Sequence, residues 1–470
     1  YEYFNTHKKY VKNHFPKIYD YDEVLRSITM EKLSIPAYSP ELLEKKEARN
    51  SQAMIDFRGY TVESFLRAYR DCGPIFKTKV NGLDEVVFGG LQANEETWRR
   101  PDEWSYSEAV RVFREELSSL HLTQLDREPH RRKRRLLNKA FKNSSIMASL
   151  PQIAEQIKLG LKRINGIEVE LHEALMEIYT KAQSVSSIKV TLSDHMVRKM
   201  VDFEEGFIGA LFLNDLERAL VYGRTKYTNL KSEVLSYLHG IVRKRLTGET
   251  ADDLLDAIIH QKTSSSIEPL SEEELIYDAY LLLIAGTGNT SKTLCYCLYE
   301  LGNNPDWTAK LIKELGQFDA SSMARGMSNF PLLKATLMEA ERLFPAAPVL
   351  PRVPFRDLEL LGHELTPKMH CLHLVSLMHF DDSVYEDPFL FKPQRWIDNE
   401  YPKLAHGTFG GGSHVCLGMN IARIQLPITL GYLLSNYNFS ITKEPKKEHY
   451  AFPSEVDSMT VRMNVVLSSK

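Results

Sequence analysis

Near the C-terminal end of the chain, Phe409-Gly410-Gly411-Gly412-Ser413-His414-Val415-Cys416-Leu417-Gly418 carries a glycine run into a single cysteine. The helical pattern Met419-Asn420-Ile421-Ala422-Arg423 follows at once. Glycines let backbone pass close to something flat and bulky. A cysteine at a helix start meets the positive end of the helix and its free N–H groups, which stabilise a thiolate. Such a thiolate suits an axial haem ligand. A nucleophile or an inert buried thiol is the alternative.

The pattern Phe-x-x-Gly-x-His/Arg-x-Cys-x-Gly, matched by Phe409, Gly412, His414, Cys416 and Gly418, resembles the haem-binding loop of the cytochrome P-450 superfamily. The resemblance implies a mainly α fold with a smaller β-rich lobe. It also implies a b-type haem between a long distal helix and the cysteine-loop helix, with Cys416 as axial thiolate. Other landmarks follow in family order. His130 and Arg134, four apart in the basic run Glu128 to Leu136, project from one helix face. With Arg352 and His414 they are the expected partners of two buried haem propionates, which need cationic donors. Glu339 and Arg342 match Glu-x-x-Arg, and Phe391-Lys392-Pro393-Gln394-Arg395-Trp396 supplies Arg395. In the family these three form a structural clamp behind the haem.

The distal helix departs from the family. Ala285-Gly286-Thr287-Gly288-Asn289-Thr290 resembles the oxygen-binding segment, where an acid and an alcohol support proton delivery. Aligned on Ala285-Gly286, those positions are Gly288 and Asn289. Glycine has no side chain, and an asparagine amide does not titrate. A register one residue later would use Asn289 and Thr290 but puts Thr287 where the family has glycine. The expectation is that Asn289 faces the oxygen site.

Several elements must position these groups. Thr61 to Asp71 reads as an amphipathic helix stopped by Gly73-Pro74. Ile75 to Val80 and Leu83 to Phe88 read as a hairpin around Asn81-Gly82. Residues 148 to 262 read as helical throughout, with one helix over Leu220 to Leu246. The resemblance makes this region a lid, with Phe207, Phe212 and Leu213 as candidate contacts; core packing is the default reading. Ser271-Glu272-Glu273-Glu274 is a helix start, and that helix is expected to run through Gly286 to about Gly302. Pro345 ends the helix carrying Glu339. Pro351-Arg352-Val353 begins a strand. An apolar helix runs from Cys416 to about Leu434, and Tyr437 to Ile441 with Met459 to Leu467 form a terminal β-pair.

The 470 residues, 43% of them apolar, can bury a large core, and no linker or repeat divides them. One haem domain over 1–470 is expected, with 1–55 the least readable, a charged stretch that wraps the body. A net charge of −3 argues against nucleic acid. Cys72, Cys295, Cys297, Cys371 and Cys416 form no paired framework, so reduced thiols and a cytoplasmic setting are expected. No apolar run reaches the ~18 residues of a membrane span; the chain starts at Tyr1, so a removed anchor stays open. The outward side of the basic run, Arg131, Arg132, Lys133 and Arg135, could attract an acidic electron-transfer protein or simply be solvated.

The function implied is haem-thiolate monooxygenation, an oxidoreductase of secondary metabolism. Its partners would be dioxygen, an apolar small-molecule substrate and a separate redox protein (ferredoxin, flavodoxin or reductase), with the chain a monomer. Gly288-Asn289 keeps a second class open: peroxide-driven oxidation, rearrangement or dehydration. A non-catalytic haem-bearing recruitment partner is a third.

Overall fold

The computed structural model describes residues 62–80, 83–211, 215–251, 253–260, 269–445 and 462–470. The N-terminal stretch, the Asn81-Gly82 turn, Phe212, Leu213 and the start of the last expected strand lie outside them. Helix α1 (Val62–Cys72) buries Val62, Phe65, Leu66 and Ala68 along one face. It stops at Gly73, whose φ of +91° suits glycine, and whose N–H closes on Tyr69 O at 2.9 Å.

Strands β1 (Ile75–Val80) and β2 (Leu83–Gly89) pair antiparallel, with Ile75 opposite Phe88. Helix α2 (Leu91–Arg99) and strand β3 (Trp104–Ser105) follow. Helix α3 (Arg127–Ala140) holds the basic run. Helix α4 (Leu150–Arg163), strand β4 (Glu168–Glu170), helices α5 (Leu171–Ser187) and α6 (Asp194–Gly209), then α7 (Asp215–Tyr222) and α8 (Thr225–Leu246), make up the region read as wholly helical. Two corrections arise there. The three-residue β4 pairs with the C-terminal strand, a long-range contact with no local signal. The helix expected over Leu220–Leu246 is two, separated at Gly223-Arg224, where Arg224 is extended and caps α8.

Helix α9 (Glu272–Leu283) opens with a capping box, Ser271 Oγ accepting from Glu274 N at 3.2 Å and Glu274 Oε2 from Ser271 N at 2.9 Å. The helix expected to continue through Gly286 does not. Gly286 takes a left-handed φ of +95° and starts a second helix, α10 (Thr287–Asn303). Glycine adopts that backbone without strain, so Gly286 permits the distal break.

Helices α11 (Pro305–Leu315) and α12 (Pro331–Leu343) lead to strands β5 (Leu350–Pro354), β6 (Leu358–Leu360), β7 (His363–Leu365) and β8 (Cys371–Leu374). Helix α13 (Met419–Asn436) precedes β9 (Tyr437–Lys443) and β10 (Asn464–Ser469). The main sheet runs β1-β2-β8-β5-β3, with β2 and β8 parallel. Val86, Val87 and Phe88 of β2 are all buried, as a strand covered on both faces must be. The helical core centres on α10, where Leu294, Cys295, Cys297, Leu298 and Leu301 are buried at successive turns. Among the described residues no helix is long and apolar enough to cross a membrane.

Candidate haem site

The cysteine loop is folded on itself before α13 begins. Gly410 N donates to Gly407 O at 2.9 Å, and Cys416 N to Phe409 O at 2.9 Å. Gly410 and Gly412 both take a φ of +65°. The flat group that the glycines approach is an indole of the protein. A Cβ on Gly411 would lie 2.2 Å from the Trp98 ring, and one on Gly412 2.6 Å from Trp98 O. Cys416 stands exposed just ahead of α13. Desolvation by the surrounding protein pushes its thiol up, while the N–H of Gly418, the Arg134 charge and the N–H of Met419 act to lower it. Phe409 lies under the Arg423 guanidinium, 5.3 Å from ring centroid to Cζ.

Cationic and imidazole groups converge on this loop from two elements, α3 and β5. Arg134, on α3, donates to Val415 O, and to Asn138 Oδ1 at 3.0 Å. His130, one turn earlier, stacks on His414 with centroids 3.7 Å apart and rings 13° from parallel. Tyr106 covers the other face of His414 at 3.4 Å. Arg352, on β5, sits over Tyr106 at 4.5 Å and donates to Pro351 O at 2.8 Å. Burial, with the neighbouring cations, pushes His130 down to about 4 and His414 to about 2. Among the described residues neither Arg134 nor Arg352 is paired with a carboxylate, and Arg352 Nε is buried without a hydrogen-bond partner. Asp126, whose charge reaches His130 and Tyr106, is already held by Ser105, Ser107 and Tyr106 N. Buried cations without anions are costly. The donor set therefore fits a ligand that brings its own carboxylates beside Cys416, which haem does.

Of the patch expected to face outward, Arg131 and Arg135 do so, Arg132 is half-buried and Lys133 is not exposed at all, and each is ion-paired. Lys133 is fully buried and ion-paired with Asp278 at 2.9 Å. Arg131 is held by Asp102 and Glu128, Arg132 by Glu274, and Arg135 by Glu128. A run of cations in sequence does not reveal that acids from other segments neutralise it.

Behind the loop, Glu339 accepts from Arg342 Nε at 2.9 Å and Nη2 at 2.8 Å, from Arg395 Nε at 3.1 Å and from Trp396 Nε1 at 2.8 Å. The two guanidiniums also donate to the carbonyls of His379, Glu386, Asp387, Pro388 and Leu390. All three charged side chains are buried, and their hydrogen bonds make that burial tolerable.

On the far face, Ala285 and Gly286 form the break between α9 and α10. Gly288 and Asn289 line a pocket of about 50 Å³ against α5 and α6. Thr290 is buried, and its hydroxyl donates back to Gly286 O at 2.8 Å. Phe207 is fully buried against Phe113 and Tyr222. The pocket brings in residues that the sequence reading missed: His172, Glu204 and Glu205, from two different helices, with no spacing pattern to link them. Trp98 and Tyr106 were missed for the same reason.

Comparison with known proteins agrees with this arrangement. The cytochrome P450 family profile matches residues 53–460. The mitochondrial 25-hydroxyvitamin D-1 alpha hydroxylase of Mus musculus is 34% identical over 189 residues, 38% of this chain and 36% of its own. The cyclooctat-9-en-7-ol 5-monooxygenase of Streptomyces melanosporofaciens is 21% identical over 323 residues, 66% of this chain and 70% of its own. The chain spans 36% to 53% of the length of seven of the curated relatives it matches, the mouse hydroxylase among them. A solved structure, the retinoic acid bound cyanobacterial CYP120A1, superposes with a TM-score of 0.72 at 21% identity, covering 88% of this chain and 97% of that one. The fold and the cysteine loop define a haem-thiolate protein, and the chain belongs to the cytochrome P450 family. Members of that family hold haem through a cysteine thiolate.

Proposed function

We propose that the chain is a monooxygenase that takes electrons from a separate redox protein and inserts one oxygen atom of dioxygen into an apolar small molecule. The observation that carries this is the convergence of Arg134, Arg352, His130 and His414, short of carboxylates, on the loop that presents Cys416. Those four would hold the haem propionates, and Cys416 would ligate the iron. Gly418 and Met419 donate towards its sulfur and Arg134 adds a positive charge; these act against the burial that raises the thiol, and ligation to the iron would complete the deprotonation. When bound, haem supplies reductive activation of dioxygen, with the thiolate pushing electron density to favour O–O cleavage. Glu339, Arg342 and Arg395 touch none of this chemistry and hold the backbone behind it.

The substrate class rests on relatives. One acts on cyclooctat-9-en-7-ol and a structural neighbour holds retinoic acid; both names describe an apolar carbon skeleton with a polar group. A substrate of that kind is the proposal here. Peroxide-driven chemistry is the second reading, favoured by Gly288 and Asn289, which offer no titratable side chain.

The test is the spectrum of the reduced, CO-bound protein, with NADPH-driven dioxygen consumption through a surrogate flavoprotein reductase. Wild type is expected to show the strongly red-shifted band of thiolate ligation and to consume dioxygen, and Cys416→Ser to lose both. A red-shifted band that survives in Cys416→Ser overturns the ligand. A wild-type band without NADPH-driven consumption moves the function to the second reading.

A further inference from the structure

The pocket beside Gly288 is small, about 50 Å³, and polar on its far wall. That is room for water, which needs polar partners to stay. Glu205, from α6, offers one. Its Oε1 is buried without a hydrogen-bond partner and lies 4.0 Å from His172 Nε2, too far for a direct bond. The side chain as a whole is 20% exposed, so it keeps a route to solvent.

His172 has a fixed orientation. Its Nδ1 lies 3.0 Å from Ser291 Oγ. The Ser291 hydroxyl lies within reach of Thr287 O at 2.8 Å and Gly288 O at 3.0 Å, and has one proton to give. With that proton on a carbonyl, Nδ1 must donate to Ser291, and Nε2 becomes a bare acceptor aimed at Glu205. Two acceptors then face each other across 4.0 Å, and a proton or a water's hydrogens belong between them. Burial pushes Glu205 up to about 7 and His172 down to about 3, so any proton the pair holds is on the carboxyl, which gains and loses it around neutral pH. The groups around it, in order of their effect on Glu205, are Arg462 from the C-terminal segment, Glu173 from the first turn of α5, Glu170 at the end of β4, and Asp202 from α6. Lys292 of α10 also acts on His172, and Glu204, the neighbouring pocket acid, takes the Tyr280 hydroxyl.

We propose that Glu205 is the proton-relay residue of the Gly288–Asn289 face, passing protons through water held in this pocket, with His172 as its positioning partner. The proposal rests on the monooxygenase reading. Insertion takes one dioxygen, two electrons from the redox protein and two protons. The O–O bond and a substrate C–H bond break, a C–O bond forms, and the second oxygen leaves as water. A cycle with no organic substrate takes four electrons and four protons to two waters; release after two of each gives hydrogen peroxide. A faulty relay therefore shows as peroxide. Asn289 can align the water but cannot supply its proton.

The experiment compares wild type, Glu205→Gln, Glu205→Asp and His172→Gln with NADPH, dioxygen and a surrogate reductase. It reads the hydrogen peroxide yield and the electrons used per dioxygen from pH 5.5 to 8.5. An infrared titration of the protonated-carboxyl band, run with and without haem, needs no turnover. Glu205→Gln should raise the peroxide yield about fivefold or more and flatten its pH dependence. Glu205→Asp should restore most of the wild-type profile, and Glu205→Gln should remove one carboxyl's share of the band titrating near pH 7, leaving the share of Glu204. His172→Gln should shift that band's midpoint without removing it. A wild type that turns over, with Glu205→Gln matching it in yield and pH profile, overturns the relay alone. No wild-type dioxygen consumption overturns the monooxygenase reading and the relay with it. A band unchanged in Glu205→Gln overturns the assignment of the proton to Glu205.

Discussion

Arg134 and Val415 are tied by a hydrogen bond from the guanidinium of α3 to the carbonyl immediately before the cysteine. One side chain therefore sets the position of the cysteine loop and places a positive charge beside the Cys416 sulfur. A neutral replacement loses both effects, and a charge-assisted hydrogen bond to a partly buried group carries roughly 1.5–3 kcal/mol. Arg134→Gln should retain haem about tenfold or more less tightly, whereas Arg134→Lys, which keeps the charge but not the fork, should fall between. The haem-to-protein ratio after dilution and gel filtration measures this. Full retention in Arg134→Gln would show that the loop is held by other contacts.

Glu204 makes stability fall as pH rises. It is buried on α6, its carboxyl accepts from Tyr280, and burial pushes it up to about 7. The folded chain therefore binds a proton that the unfolded chain has released. That contribution is complete below about pH 4.5 and is lost as pH climbs through about 7. The shift corresponds to a loss of up to about 3 kcal/mol over that interval. Glu204→Gln cannot titrate, so urea denaturation at pH 5 and pH 8 should show a smaller fall in the variant than in wild type. Equal slopes would place the proton elsewhere.

Asn289 and Thr290 are neighbours with opposite expectations. Asn289 lines the pocket shared with Glu205, whereas the Thr290 hydroxyl is occupied by Gly286 O. Asn289→Ala should raise hydrogen peroxide release severalfold, because the water loses an amide that both donates and accepts. Thr290→Val should stay within about twofold of wild type and lose only a fraction of a kcal/mol to about 1 kcal/mol in stability. If Thr290→Val releases the peroxide and Asn289→Ala does not, the register of the distal segment is one residue out.

What could be read from the sequence was what is local. The cysteine loop is ten contiguous residues, and its glycines and cysteine do their work where they stand. The Ser271 cap and the Gly73 stop are settled within four or five residues. Lys133 was misread because its partner, Asp278, is on another helix. The break at Gly286 was missed because a glycine inside an apolar run is compatible with either a continuous helix or a left-handed stop. Glu205 and His172 come from α6 and α5, and neither spacing nor composition connects them. The pocket emerges only when three helices have packed.

The Glu339 carboxylate and its two arginines tie five carbonyls between His379 and Leu390, with Lys392 N, to one turn of α12. That stretch has little regular secondary structure of its own, so its order is borrowed from the helix. It should therefore open to hydrogen exchange together with α12 as one cooperative unit, rather than fray as a surface loop does. During folding, the segment leading to the cysteine loop lacks these ties until that helix is in place. The loop should accordingly be among the last parts of the chain to become competent for its ligand.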